Sequence, residues 1–225
     1  MDTDSKKANI LEMRMMKSIS IIGAGGFGRE VKQLIDEINL HHEVWEVLGF
    51  YDSYHKEGAL INDVPVLGGM EAAIKSDCEN FVLAIGNPAA LRNLSSLFIE
   101  HGKIFPNIVH PLSSIGCPKT NHIGLGNIFT YGFHMTTNIE IGSFNIFNTR
   151  VTLGHDVRIG SFNVFLPNVQ VSGNVSVGDE NLFGMNSSVL QKKLIGSRNK
   201  IGAHSFVATN LSSDSSVFGI PAVKI

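Results

Sequence analysis

The sequence predicts two unlike parts in one chain: a small Rossmann-like α/β domain, then a parallel β-helix of triangular cross-section built from hexapeptide repeats. Three observations carry this reading. An apolar–glycine pair returns at intervals of 18 residues, at Ile123-Gly124, Ile141-Gly142, Ile159-Gly160, Val177-Gly178 and Ile195-Gly196. Every sixth residue from Ile123 to Val207 is apolar, fifteen positions in succession. With 43% apolar residues, chance would do this roughly a few times in a million. Ahead of the repeat, a short apolar run at residues 18–22 leads directly into Gly23-Ala24-Gly25-Gly26-Phe27-Gly28 and then a helical pattern.

The period decides the architecture of the larger part. A six-residue period cannot keep one face of a 3.6-residue helix buried, so an α-helical origin is excluded. Three strands of about six residues form one 18-residue coil, each sending one large apolar side chain to the axis. Successive coils then pair as parallel strands about 4.8 Å apart. Each layer hides its apolar residue only against the next, which is why solenoids need several repeats. Residues 123–207 supply about five coils.

In the front part, residues 18–22 read as a strand and residues 29–39 as a helix. The glycines between them let the backbone approach a ligand, and a helix N-terminus offers free N–H groups to phosphates. A second strand at 44–51 ends in Asp52, whose carboxylate could accept hydrogen bonds from a ribose or base. A third at 81–85 runs into Gly86-Asn87-Pro88 and a helix at 89–100. Such alternation makes a small parallel sheet with ligands at the strand C-terminal ends. About 85 residues are too few for a full dinucleotide domain plus a substrate domain, which favours a sugar-nucleotide. Residues 104–111 read as the linker, giving a domain at 17–105, the β-helix at 106–225 and an N-terminal extension at 1–16.

Composition narrows the classes of function. The formal net charge of −2 carries no basic field for nucleic acid. No apolar run of about 18 residues could span a membrane, and no signal-peptide pattern opens the chain. Two cysteines, Cys78 and Cys117, suit a reducing cytoplasm better than a disulfide scaffold.

Nine histidines are the first place to look for chemistry. His41, His42, His55 and His101 fall at helix ends or in loops. His110, His122 and His134 are spaced by twelve, but no acidic partners accompany them, and no metal site is expected. His155 differs: it follows inward Leu153 and Gly154, precedes Asp156, and should stand outward near a prism corner. An imidazole oriented by a carboxylate is a suitable general base at neutral pH. One coil further on lies Gly173, whose bare N–H could meet the oxyanion of an acyl-transfer intermediate.

Taken together, these residues resemble the bacterial sugar-nucleotide N-acetyltransferases of the bacillosamine and perosamine type, in the sialic-acid O-acetyltransferase-like family. The motifs that carry the likeness are Ile22 to Gly28, Phe50-Tyr51-Asp52-Ser53, Ala84-Ile85-Gly86-Asn87, the hexapeptides, Gly154-His155-Asp156 and Gly219-Ile220-Pro221-Ala222. The resemblance implies a left-handed β-helix, a homotrimer with active sites between chains, and acetyl-CoA as co-substrate with no permanently bound cofactor. It implies His155 as base and Asp156 as its carboxylate partner. Gly25, Gly26, Phe27, Asp52, Ser53 and Gly86 would hold the nucleotide-sugar, and Gly173, Met185 and Ala203 would line the acetyl-CoA groove. Many relatives carry a second histidine near acetyl-CoA nine residues after the first; Val164 holds that place here. Val223 replaces the usual lysine of the tail. Lys192, Lys193, Arg198 and Lys200 are candidates for CoA phosphates. The alternatives are O-acetylation of a sugar hydroxyl and a non-catalytic trimeric scaffold that binds a nucleotide-sugar.

Overall fold

The computed structural model describes residues 16–225; the extension expected at 1–16 falls outside them except for Met16. The α/β domain comprises β1 (Lys17–Ile22), α1 (Gly26–His41), β2 (Trp45–Tyr51), β3 (Leu60–Ile61), β4 (Val64–Gly68), α2 (Met70–Lys75), β5 (Asn80–Leu83) and α3 (Pro88–Glu100). Sheet order is β3-β4-β2-β1-β5, with β2, β1, β5 and β4 parallel and β3 paired antiparallel to β4. The element between β2 and β5, a hairpin and a two-turn helix, had no signal strong enough to read from the sequence.

Local chemistry explains the two main helices. α1 begins three residues earlier than its apolar pattern suggests, because Gly26 and Gly28 take helical geometry instead of loop geometry. A Cβ on Gly28 would collide with the carbonyl oxygen of Gly23, so only glycine allows the helix to sit this close to β1. Val31, Leu34 and Ile35 form its buried stripe. α3 is opened by Asn87, whose side chain accepts from the Ala90 N–H at 3.0 Å, with Pro88 at the first position, where no N–H is needed.

From residue 108 onward the chain winds as a left-handed β-helix with three faces. Face A carries the strands from His122–Ile123 to Leu194–Ile195, face B those from Ile108–Val109 to Lys200–Ile201, and face C those from His134–Met135 to Phe206–Val207. Between His122 and Val207 the coils pair residue i with i+18, as in Leu153↔Val171 and Phe147↔Phe165, while the step is 20 at the first coil, Ile108↔Ile128, and 16 at the last, Lys200↔Ser216. The supposed linker is therefore already part of the prism, since Ile108 pairs with Ile128. Two ladders run up the interior. Phe129, Phe147, Phe165 and Phe183 stack at 5.0, 5.0 and 4.5 Å between ring centroids. Beside them, Asn127, Asn145, Asn163, Asn181 and Asn199 are all buried, each side-chain oxygen accepting the backbone N–H of the residue one coil later.

The corners are tight left-handed turns. Every sixth residue from 138 to 204 has φ between +56° and +62°, whatever its side chain. The α/β domain covers face B, whose outward Ile128, Ile146 and Val164 join Phe98 and Phe105 in one apolar cluster. No helix among the described residues is long and apolar enough to cross a membrane.

Candidate active site

His155 sits at the corner between faces C and A, in the turn after Thr152–Leu153. Asp156 occupies the left-handed position, φ +58°, which its short polar side chain tolerates. That backbone turns its carboxylate back onto the preceding ring: His155 Nδ1 donates to Asp156 Oδ2 at 2.7 Å. Asn138, one coil earlier, donates to the other oxygen at 3.0 Å. The bond from His155, then that from Asn138, holds the Asp156 carboxyl below its ordinary range. Since Nδ1 carries the proton, Nε2 is left with its lone pair. It hangs over Gly173, where a Cβ would stand 2.6 Å from Nε2. The Gly173 N–H, in turn, makes no backbone hydrogen bond among the described residues. A Cβ on Gly154 would stand 2.6 Å from that nitrogen, so Gly154 keeps the N–H uncovered. Asn138 and Gly154 escaped the sequence reading as site residues. The 18-residue register counted back from Asp156 would have found the first.

The other proposed acyl-groove residues fall elsewhere. Met185, 46% exposed, and Ala203 lie at the corner between faces B and C, one coil apart. They do not meet His155 and Gly173 within one chain. Val164 is a correction: it is 1% exposed, packed under the α/β domain with Phe144 and Ile146, and offers a ligand no surface there. The physical reason is parity, because Val164 precedes inward Phe165 and so points out of face B, the covered face. The basic candidates do not converge either. Lys192 and Lys193 flank the corner between C and A, Lys200 is on face B, and Arg198 is tied to Asp214 at 2.7 and 2.8 Å.

At the C-terminal ends of β1, β2 and β5 the sequence-derived set does gather. Gly25 and Gly86 would carry a Cβ with nothing within 4 Å, and Gly26 meets only an Arg29 side chain at 3.9 Å, so the loop backbone is open. Phe27 is half-buried and Ser53 exposed. Asp52 is also bonded within the chain. Its Oδ2 accepts from the Ala24 N–H at 2.9 Å, and its Oδ1 from Tyr54 N–H, His55 N–H and His55 Nδ1 at 2.8, 3.1 and 2.9 Å. Both oxygens are engaged in fixing the glycine loop to the turn after β2. Burial pushes the Asp52 carboxyl up, but the bonds from Ala24, His55 and Tyr54 together outweigh it and leave the group below its ordinary range.

His110, His122 and His134 fall on or beside three different faces of the prism. His110 alone is buried, and it contacts the α/β domain. The Leu112 N–H donates to its Nδ1 at 2.9 Å, so its Nε2–H donates to Glu37 Oε2 at 2.8 Å.

Comparison with known proteins agrees with this architecture. Residues 18–97 match the PglD N-terminal domain family. No curated protein sequence matches the chain. Among solved structures, PerB from Caulobacter crescentus in complex with CoA and GDP-perosamine is 26% identical, with 92% of this chain and 97% of that one covered at a TM-score of 0.83. A point mutant of perosamine N-acetyltransferase from the same organism gives 25% identity, 92% and 96% coverage and a TM-score of 0.84. The acetyltransferase domain of PglB from Neisseria gonorrhoeae, at 24% identity, 93% and 100% coverage and a TM-score of 0.85, shares the fold. The chain thus carries a front domain of the PglD N-terminal type, and over 92% of its length, β-helix included, it is similar to the perosamine N-acetyltransferases.

Proposed function

We propose that the protein moves an acetyl group from acetyl-CoA to the amine of a nucleotide-linked amino sugar, with His155 as general base. The observation that carries this reading is the pairing of His155 and Gly173: a lone-pair nitrogen fixed by Asp156 beside a backbone N–H free to bond an oxyanion. The amine attacks the thioester carbonyl while its proton passes to His155 Nε2. The carbonyl oxygen becomes an oxyanion facing the Gly173 N–H. Collapse breaks the C–S bond, and the imidazolium returns the proton to the CoA thiolate. Asp156 favours the imidazolium stage because its charge and hydrogen bond stabilise the protonated ring. No covalent enzyme intermediate is needed.

The α/β domain, residues 17–105, would hold the nucleotide-sugar through Gly25, Gly26, Phe27, Ser53 and Gly86, with Asp52 ordering the loop. The β-helix, 106–225, would supply the acyl-transfer groups. Met185 and Ala203 join His155 and Gly173 only if corners of neighbouring chains meet, which supports a homotrimer with three sites between chains. The test is thiol release from acetyl-CoA in the presence of GDP-perosamine and UDP- and dTDP-linked amino sugars. Acceptor-dependent release is the expected result; none with any acceptor would overturn the reading.

A further inference from the structure

Asp156 stands at a corner of the prism where a column of polar residues runs parallel to the axis. Asn138, Asp156 and Asn174 occupy successive coils there, with φ of +57°, +58° and +59°. Asparagine and aspartate tolerate that backbone, so all three suit the turn. Asn138 does more than turn the chain. The Asp156 N–H donates to the Thr137 carbonyl at 3.0 Å, which holds the two corners in step. Asn138 Nδ2 then donates to Asp156 Oδ1 at 3.0 Å, while Oδ2 receives the His155 Nδ1–H at 2.7 Å. Among the described residues the Asn138 side chain makes no other hydrogen bond. Asn174, on the opposite side, gives the carboxylate no bond: its N–H donates to the His155 carbonyl at 2.8 Å, and its Nδ2 lies 3.5 Å from His155 Nδ1.

The pairing of His155 with Asp156 needs such support. Their side chains are 59% and 44% exposed, and an ion pair open to water is weak by itself. A carboxylate held through one oxygen can turn about its Cβ–Cγ bond and release the ring. Pinning the second oxygen stops that rotation, and outer hydrogen bonds of this kind keep a reacting group in working geometry. The charged groups nearby act at longer range. Lys119, His122 and Glu140 line the hollow beside the carboxylate on earlier coils, Arg158 stands on its own coil, and Lys192 lies two coils later. Arg158 is already engaged by Glu140 at 3.4 Å. The His155 bond does most to hold the Asp156 carboxyl below its ordinary range, the Asn138 bond comes next, and Arg158 contributes least.

We propose that Asn138 is a positioning residue for acyl transfer: it fixes Asp156 so that the carboxylate keeps His155 Nε2 aimed at the acceptor amine. The assignment rests on the acetyltransferase reading above. Asn138 acts through Asp156 alone, which gives it a non-additive signature that damage to the fold lacks. Asn138→Gly is the first variant, because glycine keeps the left-handed corner without strain and removes only the amide. The assay uses whichever of GDP-perosamine and the UDP- and dTDP-linked amino sugars turns over fastest. There kcat should fall about tenfold, the low end for losing a hydrogen bond to a charged group. KM for the acceptor and for acetyl-CoA should stay within about twofold, with oligomer mass unchanged. In an Asp156→Gly background the same change should lower kcat less than about twofold, since the carboxylate it holds is gone. Asn138→Asp keeps the turn and the side-chain shape but sets a second carboxylate against Oδ1. Repulsion should turn Asp156 away and lower kcat at least as far as Asn138→Gly does. Turnover close to wild type in both variants would overturn the assignment. An undiminished loss in the Asp156→Gly background would overturn it too, because Asn138 would then act on the fold and not on the carboxylate. Either result leaves the activity reading standing. If the wild type releases no thiol with any acceptor, the activity reading itself falls, and the role of Asn138 with it.

Discussion

His155 is set apart from the other histidines by three small residues around it. Asp156 fixes one nitrogen, and the missing side chains at Gly154 and Gly173 leave room at the other. His155→Ala should lower kcat by about 10²–10⁴, the usual worth of a general base, with circular dichroism and oligomer mass unchanged. Asp156→Asn should cost less, because it removes only the orienting charge; an equal or larger loss would make the carboxylate more than a positioning group. Gly173→Ala is a sharper probe of the pairing. Its methyl would stand 2.6 Å from His155 Nε2, and the exposed ring can swing away at little cost. We expect a near-unchanged melting temperature with kcat reduced at least tenfold. Unchanged turnover would remove the Gly173–His155 contact from the mechanism.

At the scale of elements, Asp52 links β1 to β2 by joining the glycine loop to the turn at 52–55. Its folded pKa is depressed, so its stabilising contribution is present above the unfolded value of about 3.9 and is lost as pH falls through the lower folded value. Asp52→Asn should therefore melt below wild type at pH 7, and the gap should close from about pH 4 downward. A gap that stays constant to pH 2 would show that charge on Asp52 contributes nothing. The same variant should raise the acceptor KM more than the acetyl-CoA KM, through disorder of the loop. Strand and helix were legible here wherever an apolar run met a glycine or proline boundary, as at β1, β5 and α3. The β3–β4 hairpin and α2 were not, because Leu60–Ile61 and Met70–Lys75 are too short to display a period. What holds them is contact with β2, including the close approach of Gly49 to Pro65 and Leu67.

At the scale of the molecule, the two proposed halves of the acyl site occupy different corners of one prism. A trimer of about 73 kDa, three times 24.4 kDa, should be the active form. Light scattering at micromolar concentration checks the mass, and mixing supplies the functional test. Co-expressed chains carrying His155→Ala and a disabling Met185 substitution should regain part of the activity that each lacks alone. If the mixed oligomer stays inactive while each variant assembles normally, the site does not span chains.

The sequence by itself determined the β-helix, its 18-residue coil and its inward residues, because a period of six applied to fifteen apolar positions admits one packing solution. It also determined that His155, Asp156 and Gly173 would meet, since register alone puts residue 173 one coil above 155. Only the tertiary structure decided which outward face would be covered. Val164 and Lys200 share face B and the same parity, yet Val164 is buried beneath the α/β domain and Lys200 is exposed. The corners were equally silent, for Phe144, Arg150 and Glu180 adopt the left-handed turn that their side chains do not favour. There the backbone geometry of the whole coil, closed by its neighbours' hydrogen bonds, overrides the preference of the single residue.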